Sequence, residues 1–306
     1  MLWGVLIATF SGLDGNTFFN AGTFKTIFGT QAVLVLFALA LIPPFLVGEF
    51  DLSITGTATL TMMAVGFLSG LHHWPMILAA LVALIIGALA GVINAVIVSV
   101  LGIDSIIVTL GAGTLWTGVG YALSSTTIPI SSQGLLTAIT YQIWGLPLAF
   151  YYGLILTIVM WYIFRFTPLG RQMYFVGQNR SASRLVGIPV TGIRAGSLIV
   201  SGCIAGAVGL VVAGTLGSAA PNVPASYLLP AFAAVFLGAT TINPGTFNAW
   251  GTFVAVYFLV TGITGLELYG LSGWIENVFY GGALVVAVVL SRLPGLRAER
   301  RRVRTS

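Results

Sequence analysis

The sequence predicts an all-α, polytopic integral membrane protein with about ten transmembrane helices. Charged residues make up only 6% of the chain and apolar residues 58%, whereas a soluble domain carries about 25% charged residues. Mean hydropathy is +1.04. Each spanning helix needs roughly 20 mostly apolar residues, because its backbone polar groups must be satisfied within the helix. We therefore expect the 306 residues to form a single transmembrane domain, 1–306.

Ten apolar runs follow one another along the chain. We expect crossings near residues 1–12, 30–48, 51–69, 76–100, 105–123, 148–165, 195–214, 228–241, 247–264 and 273–291. The first run is short, and we expect it to be the remnant of a longer helix. The run at 228–241 is also short and contains Pro230. It is either a broken or re-entrant helix that lines a polar path or a short helix buried among others.

Basic residues set the expected orientation. Arginines cluster in the connection 166–194 and in the tail 292–306, and cytoplasmic loops carry an excess of Lys and Arg. Four predicted crossings separate these two segments, so both can lie in the cytoplasm, and ten crossings also place both termini there. Because topology accounts for the net charge of +5, we expect no nucleic acid partner.

Two acidic residues mark a break between the second and third apolar runs. Glu49 and Asp51 lie there, followed by Ser53. An ionised group at membrane depth costs roughly 2.5 to 3.5 kcal/mol. The break therefore either borders an aqueous path for a polar solute or forms a tight cytoplasmic turn in which Asp51 or Ser53 caps the next helix. Both interpretations stay open, and they are compatible with each other.

Further polar residues lie within or between predicted spans. Asn94 and Thr109 lie within spans, and Asn243 lies in a second polar break at 238–248. For Asn94 and Thr109, a hydrogen bond between helices is the alternative to contact with a solute. The predicted substrate-pathway residues are Glu49, Asp51, Ser53, Asn94, Thr109 and Asn243.

Catalytic and nucleotide-binding motifs are incomplete or absent. The only histidines, His72 and His73, lie far upstream of a GxSG motif at 270–273, so a serine protease mechanism lacks its base. These histidines also lack a third metal ligand at suitable spacing, and Cys203 is the lone cysteine. No GxxxxGK[ST] phosphate-binding loop is present. We expect no enzyme activity, no metal site and no cofactor in this chain.

The connection 166–194 is predicted to contain a short helix that docks on a cytoplasmic protein. Asn179 or Ser181 can cap this helix, and Gly187 can end it. Its apolar face consists of Ala182, Leu185 and Val186. A small apolar face surrounded by arginines suits an interface with a partner.

Four motifs, in order along nearly the whole chain, resemble those of one known family. Residues 48–53 resemble G-G-I-D-L-S, 91–94 resemble G-x-x-N, 104–111 resemble P-x-F-I-x-T-L-G, and 167–188 resemble T-x-x-G-R, G-x-N and A-x-x-x-G-I. The family comprises permease subunits of bacterial ABC importers for ribose and related monosaccharides, within the branched-chain amino acid and sugar permease superfamily. This chain departs from the pattern at Glu49, where the family usually has Gly, and around 239–245.

The resemblance implies a permease subunit in the bacterial inner membrane that moves a ribose-like sugar or related polyol by alternating access. It implies cytoplasmic ATPase subunits that hold ATP and Mg, a periplasmic or lipid-anchored sugar-binding protein, and a second, identical or different, permease chain. The outward loop 124–147 is a candidate dock for the binding protein. Segment 177–188 would be the coupling helix seated on the ATPase. The implied coupling residues are Gly177, Asn179, Ala182, Arg184, Leu185 and Gly187.

Two alternatives stay open for the function. One is a self-sufficient secondary transporter or channel, in which Glu49 and Asp51 form an ion site. The other keeps the ABC assembly but carries amino acids or urea, and the D-L-S sequence at 51–53 disfavours this second alternative.

Overall fold

A computed structural model describes residues 2–13, 20–130, 132–242, 245–268, 270–271 and 273–303. The α-helices are α1 (Leu2–Leu13), α2 (Ala21–Thr30), α3 (Ala32–Leu46), α4 (Ile54–Val65), α5 (Met76–Ala95), α6 (Ser105–Leu123), α7 (Gln133–Thr140), α8 (Leu148–Phe166), α9 (Pro168–Gln178), α10 (Arg180–Leu185), α11 (Val190–Leu216), α12 (Leu228–Thr241), α13 (Ala249–Leu268) and α14 (Trp274–Val303). Two-residue strands form two antiparallel pairs, β1 (Ile128–Pro129) with β4 (Ser218–Ala219), and β2 (Gln142–Ile143) with β3 (Leu146–Pro147). The all-α prediction is confirmed.

Within the described residues, eight helical segments are long and apolar enough to cross a membrane. They are Gly22–Leu46, Ile54–Leu71, Met76–Val100, Ser105–Leu123, Leu148–Phe166, Val190–Leu216, Pro224–Thr241 and Ala249–Leu268. These segments overlap the eight predicted crossings from 30–48 to 247–264. The full count of ten is not confirmed, because α1 has only 12 residues and the apolar part of α14, Trp274–Val289, is also short.

Helix α12 is continuous although it is short. Pro230 lies in its first turn, where the missing backbone N–H leaves no hydrogen bond unmade. A 3-10 turn, Pro224–Tyr227, precedes the helix and lengthens the segment to 18 residues. The helix packs against α3, α13 and α14. This packing agrees with a helix buried among others, and the re-entrant interpretation stays a prediction.

Helix α3 lies at the centre of the bundle and sets the position of the first break. Its residues from Ala32 to Phe45 are all buried, as expected for a helix that is apolar on every face. Pro44 accepts a hydrogen bond from the backbone N–H of Glu49 at 2.9 Å, and Gly48 adopts a φ of +74°. Glycine tolerates this left-handed conformation, so the chain turns sharply out of α3 into the break.

Helices α5 and α11 approach each other through glycines. A Cβ added at Gly202 would lie 2.6 Å from the Gly91 Cα, and Gly206 meets Gly87 in the same way one turn along. Small residues let membrane helices pack at backbone contact. This contact brings Asn94 of α5 and Ser201 of α11 to the same region of the bundle.

Candidate functional site

Residues 47–53, which we call the first break, connect α3 to α4 without helical structure. Glu49, Asp51 and Ser53 are buried here. Because backbone N–H and C=O groups buried away from water need hydrogen-bond partners, the break depends on side chains from neighbouring helices. The structure supplies them from α5, α6, α10 and α11.

Helix α6 satisfies the backbone of the break with two hydroxyl groups. The Phe50 N–H donates to Ser105 Oγ at 3.1 Å, and the Leu52 N–H donates to Thr109 Oγ1 at 3.0 Å. The Asp104 carboxylate caps the first turn of α6 by accepting backbone N–H bonds. Ser105 and Thr109 lie four residues apart and therefore on the same face of the helix. The motif at 104–111 thus holds the break in place.

Replacing Thr109 with Val is expected to lower the free energy of unfolding by about 1 to 3 kcal/mol, because the partly buried Leu52 N–H loses its acceptor. Thermal unfolding of the purified protein in detergent measures this effect. Thr114→Val is the matched control, since the exposed Thr114 hydroxyl bonds only the Leu110 carbonyl of its own helix. Equal melting temperatures for the two variants would contradict the supporting role of Thr109.

Asp51, Ser53 and Asn94 form one chain of hydrogen bonds. Asp51 Oδ1 accepts from the Ser53 N–H at 3.0 Å and from Ser53 Oγ at 2.6 Å. Asn94 Nδ2 donates to Ser53 Oγ at 2.8 Å. Of the two possible caps of α4, Asp51 therefore accepts a backbone N–H at the helix start, whereas the Ser53 side chain makes no capping bond. Three predicted pathway residues meet at this point.

The same cluster contains buried polar atoms without hydrogen-bond partners among the described residues. They are Asp51 Oδ2 and Asn94 Oδ1. The Ser201 hydroxyl lies beside the Asp51 carboxylate. An unsatisfied buried group costs about 1 to 3 kcal/mol, so such groups in a folded protein suggest a functional role. Two acceptors beside a hydroxyl suit a ligand that donates hydrogen bonds, such as a sugar hydroxyl.

Glu49 pairs with two arginines. Its Oε1 accepts from Arg180 Nη2 at 2.6 Å and from Arg194 Nε at 2.5 Å. Asn243 lies outside the described residues. The assignment of Glu49, Asp51, Ser53, Asn94, Thr109 and Asn243 to the substrate pathway stays a prediction.

The short helix predicted in the 166–194 connection is present as α10. Asn179 caps it by accepting the Ala182 N–H at 3.0 Å, and Gly187, at a φ of +80°, follows its end. The Leu185 and Val186 side chains are 89% and 74% exposed. Ala182 and Arg184 are exposed as well. The apolar face of α10 therefore contacts little of this chain and is available to a partner.

The end of α9 packs directly on the end of α3. A Cβ added at Gly177 would clash with the Leu46 carbonyl oxygen and would lie 3.5 Å from the Val47 Cα. Only glycine permits this approach of two backbones. The short helix α10, which starts three residues later, is thereby fixed beside the first break.

Sequence reasoning missed two residues of the site. Arg194 was visible only as one arginine of a basic connection, and Ser201 only as a small residue in an apolar run. Neither carries a motif of its own. Their role depends on which helices pack together.

Curated relatives of this chain are transport proteins. The chain is 29% identical to the ribose import permease protein RbsC of Haemophilus influenzae, over 96% of this chain and 92% of the relative. It is 28% identical to the autoinducer 2 import system permease protein LsrD of Salmonella typhimurium, over 82% of this chain and 78% of the relative. It is 25% identical to the D-allose transport system permease protein AlsC of Escherichia coli, over 94% and 89%.

No solved structure matches the chain significantly. Residues 23–288 match the family described as branched-chain amino acid transport system / permease component. This match covers most of the chain, including the first break and α10. The chain therefore belongs to this permease family, as a multi-pass membrane transport subunit and not an enzyme.

Proposed function

We propose that this chain is the membrane-spanning permease subunit of a bacterial ABC importer for a ribose-like monosaccharide or related polyol. The observation that carries the proposal is the likeness to the ribose import permease over 96% of the chain. The relatives named for D-allose and autoinducer 2 import support small, hydroxyl-rich solutes. The hydrogen-bond acceptors at Asp51 and Asn94 are chemically suited to such solutes.

In this proposal the exposed face of α10 docks on a cytoplasmic ATPase, which holds ATP and Mg. Both termini and the 166–194 connection then lie in the cytoplasm, and a second permease chain completes the path. Movement of α10 is passed to the first break through the backbone contact at Gly177. The two openings of the path alternate as the ATPase binds and hydrolyses ATP, which is alternating access.

Solute uptake by cells tests the proposal. The chain is co-expressed with its cognate ATPase and binding protein in a strain without endogenous ribose, allose or autoinducer 2 permeases. We expect uptake of at least one labelled sugar, and no uptake of leucine or urea. Uptake of leucine or urea without any sugar would favour the amino acid or urea alternative instead.

The outward loop 124–147 is proposed to contact the sugar-binding protein. Strand β1 in this loop pairs with β4, and the β2–β3 hairpin carries Trp144 at its tip. Trp144 has a positive φ of 52° and is 89% exposed. Exposed aromatic side chains are frequent anchors of protein interfaces.

Replacing Trp144 with Ala is expected to weaken the apparent affinity of the permease for the binding protein by about 30-fold, the effect of losing an anchor worth about 2 kcal/mol. Uptake measured at increasing binding-protein concentration reports this affinity. Gln142→Ala, at an exposed position on the same hairpin, is the control and is expected to leave it unchanged. Similar curves for both variants and the unaltered chain would exclude Trp144 from the interface.

A further inference from the structure

The Glu49 carboxylate joins three segments that are far apart in sequence. Its Oε1 accepts hydrogen bonds from Arg180 and from Arg194, which lie 131 and 145 residues further along the chain. Arg180 is the first residue of α10, and Arg194 lies near the start of α11. One buried acid therefore links the first break to the coupling helix and to a long helix of the bundle.

Backbone carbonyls hold both arginines in place as well. Arg180 Nη2 donates to the Gly48 carbonyl at 2.9 Å, and Arg194 Nη2 donates to the Val98 carbonyl at 3.2 Å. A guanidinium group carries several donors in a fixed plane, so it can bind a carboxylate and a carbonyl together. Glu49 is thus the shared acceptor that joins the two arginines.

The two ion pairs differ in burial. The Arg194 side chain is 10% exposed, whereas the Arg180 side chain is 41% exposed. A buried charge that loses its partner is strongly destabilising. When the Arg180 pair opens, the guanidinium can return to water and the buried Glu49 carboxylate still has Arg194 as its partner. The pair between Glu49 and Arg194 is therefore a permanent part of the fold. The pair between Glu49 and Arg180 can open while the bundle stays intact.

We propose that Glu49 is a positioning residue whose ion pair with Arg180 acts as a releasable latch between α10 and the first break. The latch rests on the proposed function, because only a partner ATPase would move α10. A contact that forms in one state and opens in another biases the equilibrium between them. Glu49 stands where the family pattern usually has Gly, so the latch is additional to the motifs that this chain shares with the family.

The number of ATP molecules hydrolysed per solute transported tests the latch. It is measured in proteoliposomes that contain the permease, the ATPase and the binding protein. Arg180→Gln is expected to raise this number at least about fivefold, and Arg180→Lys is expected to restore part of the coupling. The double variant with Glu49→Gln is expected to be no worse than Glu49→Gln alone, because the two residues act through one contact. Arg165→Gln is the control, since Arg165 is exposed and makes no ion pair with any side chain that the structure describes.

Hydrogen exchange of the permease alone provides a second measurement that needs no ATPase. Arg180→Gln is expected to speed exchange of the backbone amides of residues 180–187 about fivefold. Faster exchange with an unchanged ATP-to-solute ratio would show that the contact is only structural and would overturn the latch. Additive effects of the two substitutions on the ATP-to-solute ratio of the double variant would overturn it as well. If Glu49→Gln does not fold because Arg194 loses its partner, Arg180→Gln still decides the question. Absence of ATP-driven uptake by the unaltered chain would instead refute the proposed function, and the exchange measurement would still test the contact.

Discussion

Replacing Leu185 with Asp is expected to abolish ATP-driven uptake while the permease remains folded. Leu185 is 89% exposed in α10, so its replacement removes little packing within the chain, and surface substitutions usually change stability by less than about 0.5 kcal/mol. At an interface with an ATPase, a charge in place of an apolar anchor is expected to cost at least about 2 kcal/mol, or about 30-fold in affinity. Uptake and co-purification of the ATPase measure the loss.

Two controls accompany the Leu185→Asp measurement. Leu185→Met keeps the apolar contact and is expected to keep uptake. Gln178→Ala changes an exposed residue before α10 and is also expected to keep it. Undiminished uptake by Leu185→Asp, with the ATPase still bound, would show that α10 is not the coupling helix.

Replacing Gly177 with Val is expected to reduce uptake about tenfold and to destabilise the fold by about 1 to 3 kcal/mol, because added atoms in a closely packed contact force the backbones apart. The added Cβ would meet the Leu46 carbonyl oxygen, at the point where α9 supports the first break. Both the contact and the position of α10 would change. Thermal unfolding and ATP-driven uptake measure the two effects.

The matched control for Gly177 is Gly192→Val. A Cβ added at Gly192 meets no heavy atom within 4 Å, although the residue lies in the same 166–194 connection. The control is expected to retain most uptake and stability. If both valine variants behave alike, the effect at Gly177 would come from valine in a helix and not from the contact with α3.

Much of the fold could be predicted because the apolar runs that form membrane helices are local features of the sequence. The crossing predicted at 105–123 coincides with α6 at both ends, since long apolar runs bounded by polar residues leave few alternatives in a bilayer. The Asn179 cap and the Gly187 terminus of α10 were also local features. The crossings at 1–12 and 273–291 were harder to predict, because hydropathy alone does not decide whether a short or charged segment spans the bilayer.

The contacts within the candidate site could not be predicted in the same way. The partners of Glu49 lie more than a hundred residues away, so their identity depends on how α10 and α11 pack against the first break. That packing is set by backbone contacts such as Gly91 with Gly202, which hydropathy does not reveal. For Thr109 the sequence left two roles open, and the structure shows a hydrogen bond that supports the break.

Solute flux in proteoliposomes distinguishes an ATP-driven importer from a self-sufficient transporter. The purified chain is reconstituted alone, with the ATPase, and with both the ATPase and the sugar-binding protein, each with and without ATP and Mg. We predict sugar uptake only when both partners and ATP are present, because the driving force resides in the ATPase and this chain supplies the path. Sugar or ion flux through the chain alone, without any ATPase, would refute the importer function and identify a self-sufficient transporter or channel.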